Sequence, residues 1–237
     1  MPLLNYLFPN HTCVVCKGEL NSGENIYLCD ACAEKLPINT EPVAIADQNA
    51  TQYFDRAVAA FQYAEPVRSA ILELKYNNNG LVAVAFAPYM AGAYGIGGGC
   101  THPPVIVPVP LCKKRQKSRG YNQAEILARE IGRYLGLAVA TDILTRVKAT
   151  TPQKKMNVKE RAENLADAFA IATKNDQRDP KYSSRVAPAP HKISGQNFII
   201  VDDVFTTGAT VNECAKVLKN AGAVSVDVLC FARTVFN

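Results

Sequence analysis

The sequence predicts an α/β fold, in which helices flank a twisted and mostly parallel sheet, preceded by a small cysteine-rich module. Two runs of consecutive apolar residues, 105–107 and 198–201, are typical of strands buried on both faces, as in a parallel sheet. Segments with apolar residues at helical spacing alternate with such runs, which favours an α/β fold. At 237 residues the chain has room for one medium-sized domain and a small appendage.

The composition excludes several classes of protein. With 48% hydrophobic and 20% charged residues, the chain has the composition of an ordinary soluble protein. No apolar run approaches the roughly 18 residues of a membrane span, and residues 1–9 lack the basic region and long apolar stretch of a secretion signal, so we expect a cytoplasmic protein. The formal net charge of +5 fits an anionic ligand but does not by itself imply nucleic acid.

Four of the eight cysteines form two C-x-x-C pairs near the N-terminus, with the spacing C-x2-C-x12-C-x2-C. They are Cys13, Cys16, Cys29 and Cys32. In a reducing compartment such pairs are typical of one tetrahedral zinc site, which would be structural because four thiolates leave no open coordination position. A segment of about 35 residues buries too little apolar surface to fold alone, so metal binding would supply its folding energy. The alternatives are metal-free thiols and a site in which His11 replaces one cysteine.

We expect a zinc-binding module at residues 1–37, a polar linker at 38–52 and the main domain at 53–237. Pro66 suits the first turn of a helix, and the Asn77 to Gly80 stretch suits its stop. The first half of the domain is therefore predicted to contain one or two strands within 53–63, a helix from Pro66 to about Tyr76, a helix over 81–94 bent at Pro88, and a loop over 95–104.

The second half of the domain begins with the strand at 105–107, which Pro108 ends. A cationic turn without an acid follows at 113–119, and the next helix has apolar residues on one face up to Leu135. The later elements are predicted as a short strand within 141–144, a polar and basic loop at 150–159, a proline- and charge-rich insertion at 177–196, a strand from 198, a helix that ends at Ala221 and Gly222, and a last strand at 224–231.

Residues 198–210 carry the clearest functional signal. Two adjacent carboxylates sit where the buried strand should end, and a turn with threonines and one glycine leads into a helix. The turn amides and the helix dipole suit a phosphate, and the carboxylates suit sugar hydroxyls, so the pattern indicates a site for a phosphorylated sugar. An ordinary capped strand-loop-helix unit is the alternative. No Walker motif occurs, and the glycines at 95 and 97–99 neither follow a strand nor open a helix, which disfavours a dinucleotide fold.

This stretch resembles the signature of type I phosphoribosyltransferases that binds 5-phosphoribosyl-1-pyrophosphate (PRPP). The resemblance implies the type I phosphoribosyltransferase fold. It implies ribose contacts from Asp202 and Asp203, and a 5-phosphate held by Thr206, Thr207, Gly208, Ala209 and Thr210. Magnesium would bridge pyrophosphate and ribose oxygens, because this hard cation takes oxygen ligands.

The chain as a whole resembles the ComF family in four ordered motifs. The family pattern P-V-P-L…R…R-G-F-N-Q…L-A is matched by Pro108-Val109-Pro110-Leu111, Arg115, Arg119-Gly120-Tyr121-Asn122-Gln123 and Leu127-Ala128. The other matches are its T-x-x-Q…E-R-x-x-N…F stretch at Thr150, Gln153, Glu160, Arg161, Asn164 and Phe169, its L-K-Y element at Leu74-Lys75-Tyr76, and its N-terminal zinc finger at the four cysteines. The departures are Tyr121 for phenylalanine, Met156 for leucine, and the insertion at 177–196.

Two basic stretches complete the predicted site. Arg115 and Arg119 are candidate catalytic residues, because guanidinium groups suit bidentate contacts to the leaving pyrophosphate. Residues 150–161 resemble a lid that closes over bound PRPP. The alternatives are a solvated cationic face for the first stretch and a plain surface loop for the second.

Three functions stay open at this stage: a transferase that moves phosphoribose to a nitrogen nucleophile, a PRPP-binding sensor, and an accessory protein for nucleic acid. The family resemblance implies a link to DNA uptake in natural transformation, with single-stranded DNA and a helicase-like competence protein as candidate partners. Aromatic residues do not interleave with the cations at 113–119, which weighs against a stacking platform for single strands. No acceptor pocket is evident from the sequence.

Overall fold

The structure, a computed structural model, describes residues 12–20, 27–46, 50–95, 102–148, 164–173 and 193–234. Its strands are β1 (Arg56–Gln62), β2 (Val105–Pro108), β3 (Leu144–Arg146), β4 (Phe169–Ile171), β5 (Asn197–Phe205) and β6 (Ser225–Arg233). Its helices are α1 (Asp30–Ala33), α2 (Val67–Tyr76), α3 (Gly80–Tyr94), α4 (Lys113–Arg119), α5 (Gln123–Leu135) and α6 (Ala209–Asn220). None of these helices is long and apolar enough to cross a membrane.

Four parallel strands form the central sheet in the order β1-β6-β5-β2. Side chains alternate along β5, so that Ile199 and Val201 join one buried cluster while Phe198 and Ile200 join the other. The first face is covered by α2, α3 and α5, and the second by α6 and the antiparallel β3–β4 pair. The sheet is therefore buried on both faces, and the predicted α/β fold is confirmed.

The connections that follow β2 and β5 run towards opposite edges of the sheet. After β2, α5 crosses the first face and leads to Val139, which bridges Ile106 in parallel on the outer edge of β2. After β5, α6 crosses the second face and leads to β6. The strand order thus reverses between β2 and β5, and open α/β sheets bind ligands beyond the carboxyl ends of the strands at such a point. The Val109 amide donates to the Val201 carbonyl at 2.9 Å, so the loop after β2 starts beside the acidic pair.

The cysteine-rich module packs directly on the first face of the domain. Cys13, Val14, Leu28 and Leu36 are buried in the same cluster as α2 and α3. At the rim of this contact, the Lys17 ammonium lies 3.7 Å from a Glu73 carboxylate oxygen. Module and domain share one hydrophobic core, and the division of the chain at residues 37 and 52 stays a prediction.

The described part of the segment predicted as a linker lies along the domain. The Asn39 amide donates to the Ala60 carbonyl at 3.0 Å, next to an antiparallel bridge between Ile38 and Phe61. Further along, the Ala46 amide donates to the Thr207 carbonyl at 2.9 Å. The segment therefore runs from the edge of β1 to the loop that follows β5.

Several elements differ from the sequence-based expectations. Residues 113–119 form a helix rather than a turn, and the strand predicted within 141–144 lies at Leu144–Arg146. The sequence predicts an interruption or a bend at Pro88, and the structure has one uninterrupted helix there, α3. The acidic pair was expected where the strand ends, but β5 continues to Phe205 because its pairing with β6 continues to Arg233. The short strand β4 was not predicted.

Three predicted segments fall wholly or largely outside the described residues. They are the candidate lid at 150–161, the insertion at 177–196 and the glycine-rich part of the 95–104 loop. His11, the alternative zinc ligand, also lies outside them.

Two helical glycines offer a test of the packing between α5 and the outer edge of β2. A Cβ at Gly132 would lie far inside van der Waals contact with Val139 and 3.0 Å from the Leu137 carbonyl oxygen, whereas a Cβ at Gly92 of α3 would meet nothing within 4 Å. We expect Gly132→Ala to lower the free energy of unfolding by about 1–3 kcal/mol through overpacking. Gly92→Ala should raise it by up to about 1 kcal/mol, because alanine is the better helix former. Urea unfolding measures both, and equal effects would contradict this packing.

Candidate functional site

The acidic pair at the end of β5 presents its two carboxylates to opposite faces of the sheet, as strand alternation requires. Asp203 faces α2, where the Lys75 ammonium lies 2.8 Å from its Oδ2, and the two side chains are 21% (Lys75) and 8% (Asp203) exposed. Burial lowers the pKa of Lys75, but the charge and hydrogen bond of Asp203, together with the Asp202 charge, raise it, and the net shift of the pKa is upward. Lys75 is thus held as a cation against the Asp203 side chain.

Asp202 is in a different electrostatic position. Its Oδ1 accepts a hydrogen bond from the Asp203 amide at 2.8 Å, and its charge is felt at Arg146 of β3 and at Cys214 of α6. Burial and the neighbouring Asp203 charge raise the pKa of Asp202 to about 7, although Lys75 and Arg146 lower it. Asp202 is therefore a carboxylate that its surroundings stabilise poorly in the charged form.

The loop between β5 and α6 is tightly constructed around Gly208. This glycine has a φ of 79°, and a Cβ there would lie 2.6 Å from Cζ of Phe205 and 3.0 Å from Cγ2 of Ile45. Thr207 is buried, and its hydroxyl accepts a bond from the Ala209 amide at 3.4 Å. The amides of Thr207, Gly208 and Thr210 donate to no acceptor within the described part of the chain. These donors, at the start of a helix, suit an anion.

The stretch from Arg119 to Gln123 is held by contacts that sequence reading did not reveal. The Arg119 guanidinium lies over the Tyr76 ring, 5.1 Å from its centroid, and donates to the Gln123 side chain at 2.9 Å. The Tyr121 hydroxyl accepts from the Asn78 amide at 3.0 Å. Asn122 caps α5 by accepting from the Ala124 amide and donates to the Val109 carbonyl at 3.0 Å. This stretch therefore fixes α2, the loop after β2 and α5 to one another.

Arg115, the other predicted catalytic residue, is exposed on α4. Its charge contributes to lowering the pKa of Arg146, whose main cause is burial. Arg146 also lies over the ring of Phe169, with its guanidinium carbon 5.3 Å from the centroid. Arg115, Arg146 and Asp202 are thus electrostatic neighbours at the same end of the sheet.

The four predicted metal ligands form one cluster. The sulfur atoms of Cys13, Cys16, Cys29 and Cys32 all lie within 4.8 Å of one another, and those of Cys16 and Cys29 are 3.8 Å apart. A tetrahedron with Zn–S bonds of ~2.3 Å has edges of about 3.8 Å. Burial raises the pKa of the Cys29 and Cys32 thiols, and it acts in the same direction on Cys13, where backbone hydrogen bonds from Cys29, Cys16 and Val15 bring the pKa down to about 7. The cluster fits a metal ion held by four thiolates.

Comparison with known proteins agrees with this geometry. Residues 101–234 match the family model described as a phosphoribosyl transferase domain. Competence protein F of Haemophilus influenzae is 31% identical over 95% of this chain and 98% of its own length. The chain belongs to the ComF family.

Other similar proteins include the DNA utilization protein YhgH of Salmonella typhi, which is 29% identical over 94% of this chain and 90% of its own length. Among solved structures, a hypoxanthine phosphoribosyltransferase of Staphylococcus aureus aligns with 64% of this chain and 60% of its own at 12% identity, with a TM-score of 0.31.

Two of the ComF motifs, the L-K-Y element and the stretch that begins at Arg119, meet the acidic pair at one end of the sheet, although all three are far apart in the sequence. Lys75 pairs with Asp203, and Tyr76 lies under Arg119. Sequence reading noted the L-K-Y element without giving Lys75 a role, although an isolated lysine at the end of an apolar helix face is a signal for a buried ion pair. Arg146 was missed as well, because a single arginine in a short strand has no pattern to identify it.

The two neighbouring aspartates should respond oppositely to neutralisation. The raised pKa of Asp202 means that its charged form is unfavourable in the folded state, so the free energy of unfolding of the wild type falls as the pH rises from about 4 to 7. Asp202→Asn removes this carboxylate, and the variant should not lose that stability. Asp202→Asn should therefore melt at a higher temperature than wild type at pH 8 and at a similar temperature near pH 4. Calorimetric melting at both pH values checks this, and an equal difference at pH 4 and pH 8 would contradict the raised pKa.

Asp203→Asn is the matched control for that experiment. It leaves the Lys75 ammonium without its anionic partner, which costs about 3 kcal/mol for a largely buried pair. This variant should melt at a lower temperature than wild type at pH 8.

Proposed function

We propose that this protein binds PRPP with magnesium at the turn formed by Asp202 to Thr210 and transfers phosphoribose to a nitrogen acceptor. The observation that supports this most is the meeting of the Lys75–Asp203 pair with the Gly208 loop at the point where the strand order reverses. In this proposal the carboxylates of Asp202 and Asp203 accept hydrogen bonds from the ribose hydroxyls. The amides and hydroxyls from Thr206 to Thr210 donate to the 5-phosphate.

Magnesium suits this arrangement, because carboxylate and phosphate oxygens are the ligands it prefers, and it would neutralise charge on the pyrophosphate. The carboxylates of Asp202 and Asp203 would face the bound ion. The Lys75 ammonium, 2.8 Å from Oδ2 of Asp203, would hold that carboxylate in position for this role.

The reaction breaks the bond between ribose C1 and the pyrophosphate oxygen, and pyrophosphate leaves with the electron pair. The nitrogen lone pair of the acceptor forms the new bond to C1, and the acceptor then loses a proton to solvent. Positive charge develops on the ribose ring while negative charge develops on pyrophosphate. Arg115 and Arg119 on α4 are proposed to stabilise the departing pyrophosphate, and the stacking of Arg119 on Tyr76 holds its guanidinium in place.

We further propose that the ion in the four-cysteine cluster is zinc, and that the protein works in the cytoplasm, where thiols stay reduced. Four sulfur ligands select soft metals such as zinc and leave no position for substrate. The metal would then be structural. Because the module shares a core with α2 and α3, it would also stabilise the helix that carries Lys75.

Purified protein should contain about one zinc ion per chain. Cys16→Ser should reduce the zinc content and lower the melting temperature, since Cys16 is one of the four ligands, whereas Cys112→Ser should leave the zinc content unchanged because Cys112 lies outside the cluster. Atomic emission and melting curves measure these effects. Metal-free wild-type protein with four titratable thiols in the module would sink the zinc assignment.

Turnover is tested with PRPP, magnesium and a panel of bases, amines and nucleotides, with release of pyrophosphate as the readout. Arg119→Ala should slow that release far more than it weakens PRPP binding in calorimetry. The reason is that the negative charge on pyrophosphate, which Arg119 is proposed to stabilise, grows in the transition state. Lys117→Ala, an exposed residue of the same helix, is the matched control and should change neither.

The outcomes separate the candidate functions. PRPP binding without pyrophosphate release from any acceptor favours the sensor. Absence of PRPP binding overturns the whole proposal.

A role in DNA handling is a second candidate, suggested by the relatives named competence protein F and DNA utilization protein. One observation favours it. Tyr76 is 63% exposed and lies beside Arg119 at the end of the basic helix α4, where Lys114, Arg115 and Lys117 are also exposed. The fold thus supplies an aromatic ring beside the cations, which the local sequence lacks. Single-stranded DNA is the proposed ligand, and a helicase-like competence protein is the proposed partner.

Tyr76→Ala should weaken binding of an oligothymidylate by at least about fivefold, because stacking of one base contributes about 1–3 kcal/mol. Tyr76→Phe should bind like wild type. Tyr134→Ala is the control for the loss of any surface tyrosine. It removes an exposed ring about three turns from the start of α5. Fluorescence anisotropy at a fixed salt concentration measures the affinities. Equal affinity of Tyr76→Ala and wild type would argue against this surface.

A further inference from the structure

Residues 41–46, here called the brace, form a short segment that lies against the loop after β5. At its start, Arg233 donates from Nη1 to the Pro42 carbonyl at 2.7 Å, and its Nη2 lies 2.9 Å from the Glu41 carboxylate. Val43 and Ile45 pack on the buried cluster of the second face, which includes Phe205. At its end, the Ala46 amide donates to the Thr207 carbonyl at 2.9 Å. The brace is therefore fixed at both ends, with Ile45 between them.

The hydrogen bond from Ala46 fixes the direction of one particular peptide group. The peptide between Thr207 and Gly208 is trans, so its carbonyl and its N–H point in opposite directions. Because the Thr207 carbonyl points at the brace, the Gly208 N–H points away from it. Without the Ala46 donor the peptide could rotate, since glycine tolerates many backbone conformations. The rotated form would present a carbonyl oxygen, which repels an anion, on the side where the N–H now lies.

Ile45 restrains the same peptide by packing. Its Cγ2 and the Phe205 ring leave no room for a side chain at Gly208, because a Cβ there would lie 3.0 Å from the former and 2.6 Å from the latter. One side of Gly208 is thus covered by two hydrophobic side chains, one from β5 and one from the brace. These contacts hold Gly208 at its φ of 79° at the start of α6.

We propose that the brace is a positioning device for phosphate binding. Through Ala46 and Ile45 it holds the Thr207–Gly208 peptide so that the Gly208 N–H, and not the Thr207 carbonyl, faces the 5-phosphate of a ribose 5-phosphate group. This inference rests on the proposed function, because it concerns the loop assigned to the 5-phosphate. It makes Ile45 and Ala46 positioning residues that touch no ligand themselves.

The test uses the full-length protein and two probes, ribose 5-phosphate and magnesium pyrophosphate, whose binding is measured by calorimetry. Ala46→Pro removes the donor to Thr207, because proline has no N–H. It should weaken ribose 5-phosphate binding at least about fivefold, the effect of losing roughly 1 kcal/mol, while pyrophosphate affinity stays constant. Ala44→Pro is the matched control, since Ala44 is also exposed and its amide donates to no acceptor in the described part of the chain.

A second pair of variants tests the packing contact. Ile45→Ala should also weaken ribose 5-phosphate binding selectively, and Ile45→Val should restore most of the affinity because it keeps the branched Cβ. Ile38→Ala, an equal truncation at a side chain that is 51% exposed, should bind both probes like wild type.

Each result decides. Selective loss of ribose 5-phosphate affinity in Ala46→Pro and Ile45→Ala supports the brace. Equal loss for both probes together with a lower melting temperature means that the segment has only a structural role, and unchanged affinity means that it has no role at the loop; both overturn the inference. If the wild-type protein bound neither ribose 5-phosphate nor PRPP, the proposed function would be overturned instead, and the brace with it.

Discussion

The ion pair between Lys75 and Asp203 is the contact on which the arrangement of the site depends. It joins the last turn of α2 to the end of β5, and Tyr76, the next residue, then supports Arg119. Two largely buried charges are costly to desolvate, so such a pair gives little net stability and acts mainly to fix one geometry. Here that geometry brings the helix after β1, the helix after β2 and the acidic strand to one end of the sheet.

Much of the fold could be predicted because its local and global signals agree. The apolar runs at 105–107 and 198–201 form strands buried on both faces, and Pro66 precedes a helix that ends at Tyr76. The apolar pattern failed for the helix α4, which has no apolar face to reveal it. Residues 113–119 have no apolar periodicity, yet they form a helix between Cys112 and Gly120, because lysine and arginine are good helix formers.

The candidate site could be predicted in part for the same reason. The turn from Asp202 to Thr210 and the four cysteines are contiguous patterns, so the sequence displays them directly. Lys75 and Arg146 come from separate elements, and only the packing of α2 and β3 against the two faces brings them towards the aspartates. The segment at 38–52 looked like a linker because it is polar, but its backbone amides, which carry no sequence signal, attach its described residues to β1 and to the Gly208 loop.

Strand alternation also limits where a ligand of the acidic pair could lie. Asp203 faces the side of α2 and Asp202 the side of β3 and α6, so one ligand reaches both carboxylates only beyond the carboxyl end of β5. The same end holds the Gly208 loop on one side and the loop after β2 on the other, because the strand order reverses between these two strands. Asp202, whose pKa is raised to about 7 by burial and by the Asp203 charge, would be stabilised in its charged form by a ligand that donates hydrogen bonds or carries positive charge. The position that the sheet topology opens therefore adjoins a carboxylate whose charged form is poorly stabilised, and a ligand of that chemistry placed there would stabilise it.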